Sequence, residues 1–265
     1  MTTDSRPDAD DLRQERWLRL EGAVNVRDLG GLPTLDGRRT AHGVLLRSDN
    51  LQDLTPADVE VLHERLGVRT VVDLRTAGEA AREGATPLHA LGVDHRQHSL
   101  VPEVLAAGDP ALDARVLPDR TGMPPLQVYR GYLEEASDAV VAAVRVLADP
   151  AAGTTVFHCA AGKDRTGVVA ALVESAVGVT REAVLADYLL TAERVPAIVA
   201  RLASSATYAA DVTGRPLSGH FPQPETMAGI LDLLDTEWGG ARGWLLAHGL
   251  TEAELASLER RLLPG

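Results

Sequence analysis

The chain holds 265 residues, 45% apolar and 24% charged, with 38 acidic side chains against 26 Lys and Arg and a net charge of −12. Such a length and composition describe one globular domain, or one with an inserted subdomain, not a disordered chain, and the acidic excess argues against a nucleic-acid partner or an anionic membrane surface. Aromatics make up only 3%, leaving Leu, Val and Ala to build the core, and the single cysteine rules out an intrachain disulfide, which favours a reducing compartment.

The start, "MTTDSRPDADDLRQER", is polar and acidic. Residues 1–13 read as a disordered tail and 14–265 as one domain. With neither a basic n-region nor an apolar h-region there is no signal-peptide pattern, so a cytoplasmic location is expected, with leaderless secretion left open. The runs "VVAALV" and "AVVAAV" are too short to span a bilayer, so no stable membrane insertion is expected.

"GVLLRS" (43–48) predicts a short strand and "LTPADVEVLHERLG" (54–67) a helix, with Thr55 as N-cap, Pro56 at the first helical position and Gly67 at the exit. "VRTVVDL" (68–74), rich in β-branched residues, predicts a buried strand, and "VDHRQHS" (93–99) a further one. The proline-rich stretch 100–125 reads as irregular and 126–149 as helical. "TTVFH" (154–158) predicts a strand and "TGVVAALVESAVG" (166–178) a helix ending at Gly178, with another helix following from Thr180. Two helical pieces are expected within 193–225, around "VTGRPLSGHFPQP". Thr251 and Glu254 make a capping-box pattern for the last helix. Strands alternating with helices imply an α/β fold with a mainly parallel sheet.

The one thiol lies in "FHCAAGKDRTG" (157–167). Strand, short loop and helix together make an anion site, because the first helical turn leaves backbone N–H groups unpaired and the helix dipole adds positive potential. Cys159 at the strand end meets that field, which favours a thiolate. Arg165 follows after five residues with a planar fork suited to two phosphate oxygens, Gly162 lets the backbone curl, and the Thr166 hydroxyl is placed to bond the sulfur. These parts describe a thiolate nucleophile beneath a bound phosphate or other oxyanion.

Cys159, five residues and Arg165, with His158 before and Thr166-Gly167 after, resembles the signature of cysteine-dependent protein-tyrosine phosphatases. The form "HCAAGKDRTG" is similar to the bacterial branch with Lys and Asp in the loop, which includes phosphoinositide-active enzymes. "LEGAVNVRDLGGLPTLDGR" (20–38), "LLRSDNL" (45–51), "VVDLRTAGEAA" (71–81) and "WGGARGWLLAHGLTEAEL" (238–255) extend the resemblance over residues 16–263.

The resemblance implies a three-layer cysteine-phosphatase fold whose helices at 193–225 form a lid. It implies hydrolysis of phosphoric monoesters through a phosphocysteine, with Ala160, Ala161, Gly162, Lys163, Asp164 and Arg165 binding phosphate, and with no metal or cofactor. The substrate would be phosphotyrosine protein, with phosphoserine, phosphothreonine and phosphoinositide as further classes. Asp164 is the first choice of proton donor and Asp73 the second, with Glu103 and Asp119 as outsiders. His158 is expected to orient the loop, not to transfer a proton.

Plainer readings stand beside these. Asp164 suits an N-cap, Lys163 a solvated loop lysine, and Asp73 with Arg75 a buried ion pair. Asn25–Gly31 reads by default as a turn, with Asp28 bonding backbone. His95 and His98 have no nearby cysteine or third ligand and do not read as a metal pair. A rhodanese-like sulfur transferase and a phosphate-binding module without turnover remain as alternative functions.

Overall fold

A computed structural model describes residues 16–101, 104–105, 115–116, 122–214 and 216–264. The tail expected at 1–13 and the acid candidates Glu103 and Asp119 lie outside the described residues.

The central sheet is built from β1 (Arg27–Asp28), β2 (Leu45–Ser48), β3 (Val68–Asp73), β4 (Asp94–Gln97) and β7 (Thr154–His158), in the spatial order β1-β2-β7-β3-β4. β2, β7, β3 and β4 run parallel, and only β1 is antiparallel to its neighbour. Within the stretch read as irregular, β5 (Val104–Leu105) and β6 (Arg115–Val116) pair as a separate antiparallel ladder.

The period-two alternation of the strands divides the core into two layers. Leu45, Val72 and Phe157 point into the larger cluster. Their neighbours Leu46, Val71 and Val156 point into a smaller one on the opposite face. Each such side chain, once fully buried, contributes about 1.5–3 kcal/mol of transfer free energy.

On the smaller-cluster side, α1 (Pro56–Val59) begins at the predicted Thr55 cap with Pro56 in its first turn, and continues as a π-helical segment, Glu60–Arg65. Gly67 leaves it at φ +68°. After β3 comes α2 (Ala77–Glu83).

The segment read as helical over 126–149 holds two helices, α3 (Pro125–Glu135) and α4 (Ser137–Ala148), because Ala136 at φ −126°, ψ 26° leaves the helical region. α5 (Asp164–Ala176) starts two residues earlier than the predicted helix and is buried almost throughout. α6 (Arg181–Leu190) follows from the Thr180 cap. The larger cluster gathers α3, α4 and α5 with Ile230, Trp244 and Leu258 from three C-terminal helices.

The helical pieces expected around 193–225 are α7 (Val195–Ser204) and α8 (Ala209–Thr213), followed by a 3-10 turn, Leu217–His220. Pro224 already opens α9 (Pro224–Trp238). α10 (Ala241–Ala247) and α11 (Glu252–Leu262) close the chain, and both bonds of the Thr251–Glu254 capping box are made. The architecture is thus three-layer α/β with a mainly parallel sheet. No helix among the described residues is long and apolar enough to cross a membrane.

Candidate active site

The loop between β7 and α5 curls tightly because its neighbours leave no room. Gly162 sits at φ +67°, and a Cβ there would come within 2.5 Å of the Ser48 carbonyl oxygen and 2.6 Å of the Asp49 nitrogen. Four carbonyls of the turn are tied back. Cys159 O accepts from His158 Nδ1 (3.2 Å), Ala160 O from the Asn50 amide (3.1 Å), Ala161 O from Asn25 Nδ2 (2.9 Å) and Gly162 O from Arg47 Nη2 (2.8 Å). In a trans peptide the following N–H points opposite to the carbonyl. Tying back these four oxygens therefore aims the amides of Ala160, Ala161, Gly162 and Lys163 the other way, and none of the four has a backbone acceptor among the described residues.

Above this ring of donors lies a cavity of about 200 Å³, lined by Cys159, Ala160, Ala161, Lys163, Asp164 and Arg165. The cysteine is 1% exposed. Arg165 is held in a two-toothed grip by Glu79, with Nη1–Oε2 at 2.6 Å and Nη2–Oε1 at 2.8 Å. Glu79 is itself fixed as the third residue of α2, in a capping box with Thr76. Burial alone would raise the Glu79 pKa; the charge and hydrogen bonds of Arg165 outweigh it and bring it to about 2. A guanidinium carries five N–H donors; two go to Glu79 and Nη1 also reaches the Leu74 carbonyl at 3.5 Å, which leaves the remaining ones to meet an anion in the cavity.

Lys163 donates from Nζ to the His220 carbonyl (2.9 Å) and lies 3.6 Å from Asp164 Oδ1. Asp164 does not cap α5 from outside but forms its first turn. Its Oδ1 accepts from Tyr129 Oη at 2.6 Å, and Tyr129 Oη is 3.0 Å from Tyr188 Oη.

Asp73 stands apart from this cavity. It is fully buried, is not among the residues lining the cavity, and binds Arg75 through Nε (3.0 Å) and Nη2 (2.7 Å). Burial would raise its pKa, but His158 and Arg75 together hold it below the ordinary carboxylate range. This is the buried ion pair of the plainer reading, and a carboxyl so placed is a poor proton donor.

His158 is 1% exposed and its pKa is pushed down to about 4, chiefly by burial, so it stands neutral behind the loop. Thr166 Oγ1 is buried without a hydrogen-bond partner, so the expected bond to the sulfur is not made.

Several contributors escaped the sequence reading. Glu79 was visible only as the end of the pattern Thr76-x-x-Glu79. Asn25, assigned to a turn, reaches the loop, although Asp28 does bond backbone as expected, accepting from Gly30 and Gly43. Arg47, which anchors Gly162, belongs to a cluster in which Asp187 accepts from the buried Arg47 Nη1 (2.5 Å) and Arg27 Nε (3.1 Å) and from the part-exposed Arg16.

Helix α7, helix α8 and the 3-10 turn supply the other wall: Val195, Ile198, Leu202, Tyr208, Asp211 and His220. Arg201 ties α7 to Asp49 and, at 3.0 Å, to Asp53. The Asp211 carboxyl has its pKa raised, first by desolvation and then by the charge of Glu79.

The profile of the tyrosine phosphatase family matches residues 18–264. A provisionally named tyrosine-protein phosphatase of Cupriavidus necator is 34% identical, over 98% of this chain and 93% of its own. The triple specificity protein phosphatase PtpB of Mycobacterium tuberculosis is 30% identical over 92% of this chain and 98% of its own. The solved catalytic domain of the PP-IP phosphatase SIW14 from S. cerevisiae covers 60% of this chain and 77% of its own at 17% identity, with a TM-score of 0.35, too distant to bear on the fold.

Proposed function

The chain belongs to the tyrosine phosphatase family, and we propose that it hydrolyses phosphoric monoesters through a phosphocysteine on Cys159. The observation that carries this reading is the placement of Cys159 and Arg165 on one small cavity, over a loop whose carbonyls are tied away from it.

The Cys159 sulfur attacks phosphorus, an S–P bond forms, and the P–O bond to the leaving group breaks. The loop amides and Arg165 stabilise charge on the equatorial oxygens, where fixed donors cost no reorganisation. Asp164, on the cavity wall, gives its proton to the departing oxygen. It then takes a proton from the water that breaks the S–P bond and releases phosphate. His158 steadies the Cys159 carbonyl, and Lys163 adds a cation at the mouth. The helices at 193–225 act as a lid over the bound substrate. Phosphotyrosine protein is the leading substrate, with phosphoserine, phosphothreonine and phosphoinositide within the same chemistry; PtpB is named for triple specificity.

A second donor is favoured by one observation: Asp211 also lines the cavity, with its proton held more tightly than usual. A substrate panel with Asp164→Asn, Asp211→Asn and Asp73→Asn tests the assignment. Turnover of aryl and alkyl phosphates should fall by about 10²-fold or more in Asp164→Asn, most steeply for the poorer leaving group. A loss confined to Asp211→Asn moves the acid to the lid, and full activity in Cys159→Ser removes the whole scheme.

A further inference from the structure

Two histidines and an aspartate, remote in sequence, meet on the smaller-cluster face of the sheet behind the loop. Strand register puts them there. Asp73 on β3 pairs with His158 on β7 and with Gln97 on β4, so His95, two residues before Gln97, projects from the same face. His158 Nε2 lies 3.8 Å and His95 Nε2 3.9 Å from Asp73 Oδ2. The three donor atoms all fall within 4.8 Å of one another. We propose that Asp73, His95 and His158 form a binding site for a zinc-class divalent cation.

Three observations point to a ligand there and not merely to packing. His158 Nε2 is buried and has no hydrogen-bond partner among the described residues, and its residue is 1% exposed. An unpaired buried polar atom is costly, and a cation on its lone pair satisfies it. The outer shell already has the form that metal sites use. A ligating histidine gives its second N–H to a carbonyl or carboxylate, and a ligating carboxylate is hydrogen-bonded in turn. Here His158 Nδ1 donates to Cys159 O at 3.2 Å, and Arg75 holds Asp73 through Nε and Nη2. Finally, His95 is 26% exposed while Asp73 and His158 are sealed, which gives an ion a way in and leaves a place for water as fourth ligand.

The residue types select the metal class. Imidazole suits first-row transition ions, and two histidines with one carboxylate leave an open position. Tetrahedral bonds of about 2.0–2.1 Å place ligand atoms ~3.3 Å apart, so each imidazole must approach Asp73 by roughly 0.5 Å, and the two imidazole nitrogens, within 4.8 Å of each other, must close by up to ~1.5 Å as the ion binds. The Arg75 charge opposes the cation and limits its affinity, while its hydrogen bonds aim the carboxylate. Occupancy would join β3, β4 and β7 through one ion, and through the His158 bond to Cys159 O it would touch the cysteine loop. The site is separate from the reacting atoms and does not depend on the phosphatase mechanism.

The test uses the full chain as Cys159→Ser, since a cavity thiolate would itself ligate zinc. Equilibrium dialysis should find one Zn²⁺ per chain, and Co²⁺ should show the visible absorption of a four-coordinate ion. Adding His95→Ala should weaken Zn²⁺ by at least about tenfold and remove that absorption. His98→Ala, which lies outside the triad, should bind as the parent does. Zn²⁺ should raise the melting temperature of the parent and not of the His95→Ala form. His95→Gln replaces the alanine variant if the latter unfolds without metal. The proposal fails if the parent binds no Zn²⁺, or if both His95 variants bind it as tightly as the parent.

Discussion

Two arginine–carboxylate assemblies hold the cysteine loop, and they differ in what lies beside them. Arg165 and Glu79 border the cavity, with side chains 12% and 9% exposed. Arg27 and Arg47 grip Asp187 in a sealed interior where all three side chains are at most 1% exposed. In the sealed cluster burial and the charge of Arg47 press the Arg27 pKa down to about 10, while the arginines hold Asp187 below the ordinary carboxylate range against its desolvation. Its charges are consumed by one another and by Gly162 O, so it shapes the loop without meeting an anion. The open pair keeps donors unspent. The same residue chemistry is spent on internal contacts where it is enclosed and keeps donors available where it faces a cavity, which is the role proposed for Arg165.

The largest effect should come from the proposed nucleophile: Cys159→Ser lowers turnover by roughly 10⁴-fold or more while vanadate still binds, measured by steady-state kinetics and titration. Arg165→Lys keeps the charge and loses the fork, so kcat should fall about 10²–10³-fold with little change in unfolding free energy. Arg47→Ala should do the opposite in kind, costing about 3–5 kcal/mol in urea unfolding because Asp187 is left buried and less compensated. If Arg47→Ala costs no stability and Arg165→Lys unfolds the protein, the division between scaffold and machinery is wrong.

Smaller is the pH response of the open pair. The folded-state pKa of Glu79, about 2, lies below its ordinary value of 4.5. Ionised Glu79 therefore contributes stability that is complete above 4.5 and is lost as pH falls from there through 2. Glu79→Gln should flatten the urea-unfolding profile within that window. Smallest is the last helix, remote from both assemblies. Thr251→Ala removes a capping box and should cost about 1 kcal/mol with kcat unchanged.

Local chemistry explains what was legible early. Thr55, Thr180 and Thr251 announce helix starts because caps are satisfied within three residues. The β-branched run at 68–73 and the loop "HCAAGKDRTG" likewise carry their meaning within a few positions, and so placed an inner strand and the cavity floor.

What is written locally in a chain can be read from it: strand and helix periods, caps, the tight glycine turn and the Cys159–Arg165 spacing. Strand register, by contrast, is a relation between distant segments. Only the folded sheet decided that Asp73 faces His158 and His95 instead of the cavity beside Cys159, that Glu79 grips Arg165, and that Asn25 and Arg47 fasten the loop from below. Hydrogen bonds and ion pairs act over a few ångströms, whatever the number of residues between the partners, so these partnerships leave no spacing in the sequence to announce them.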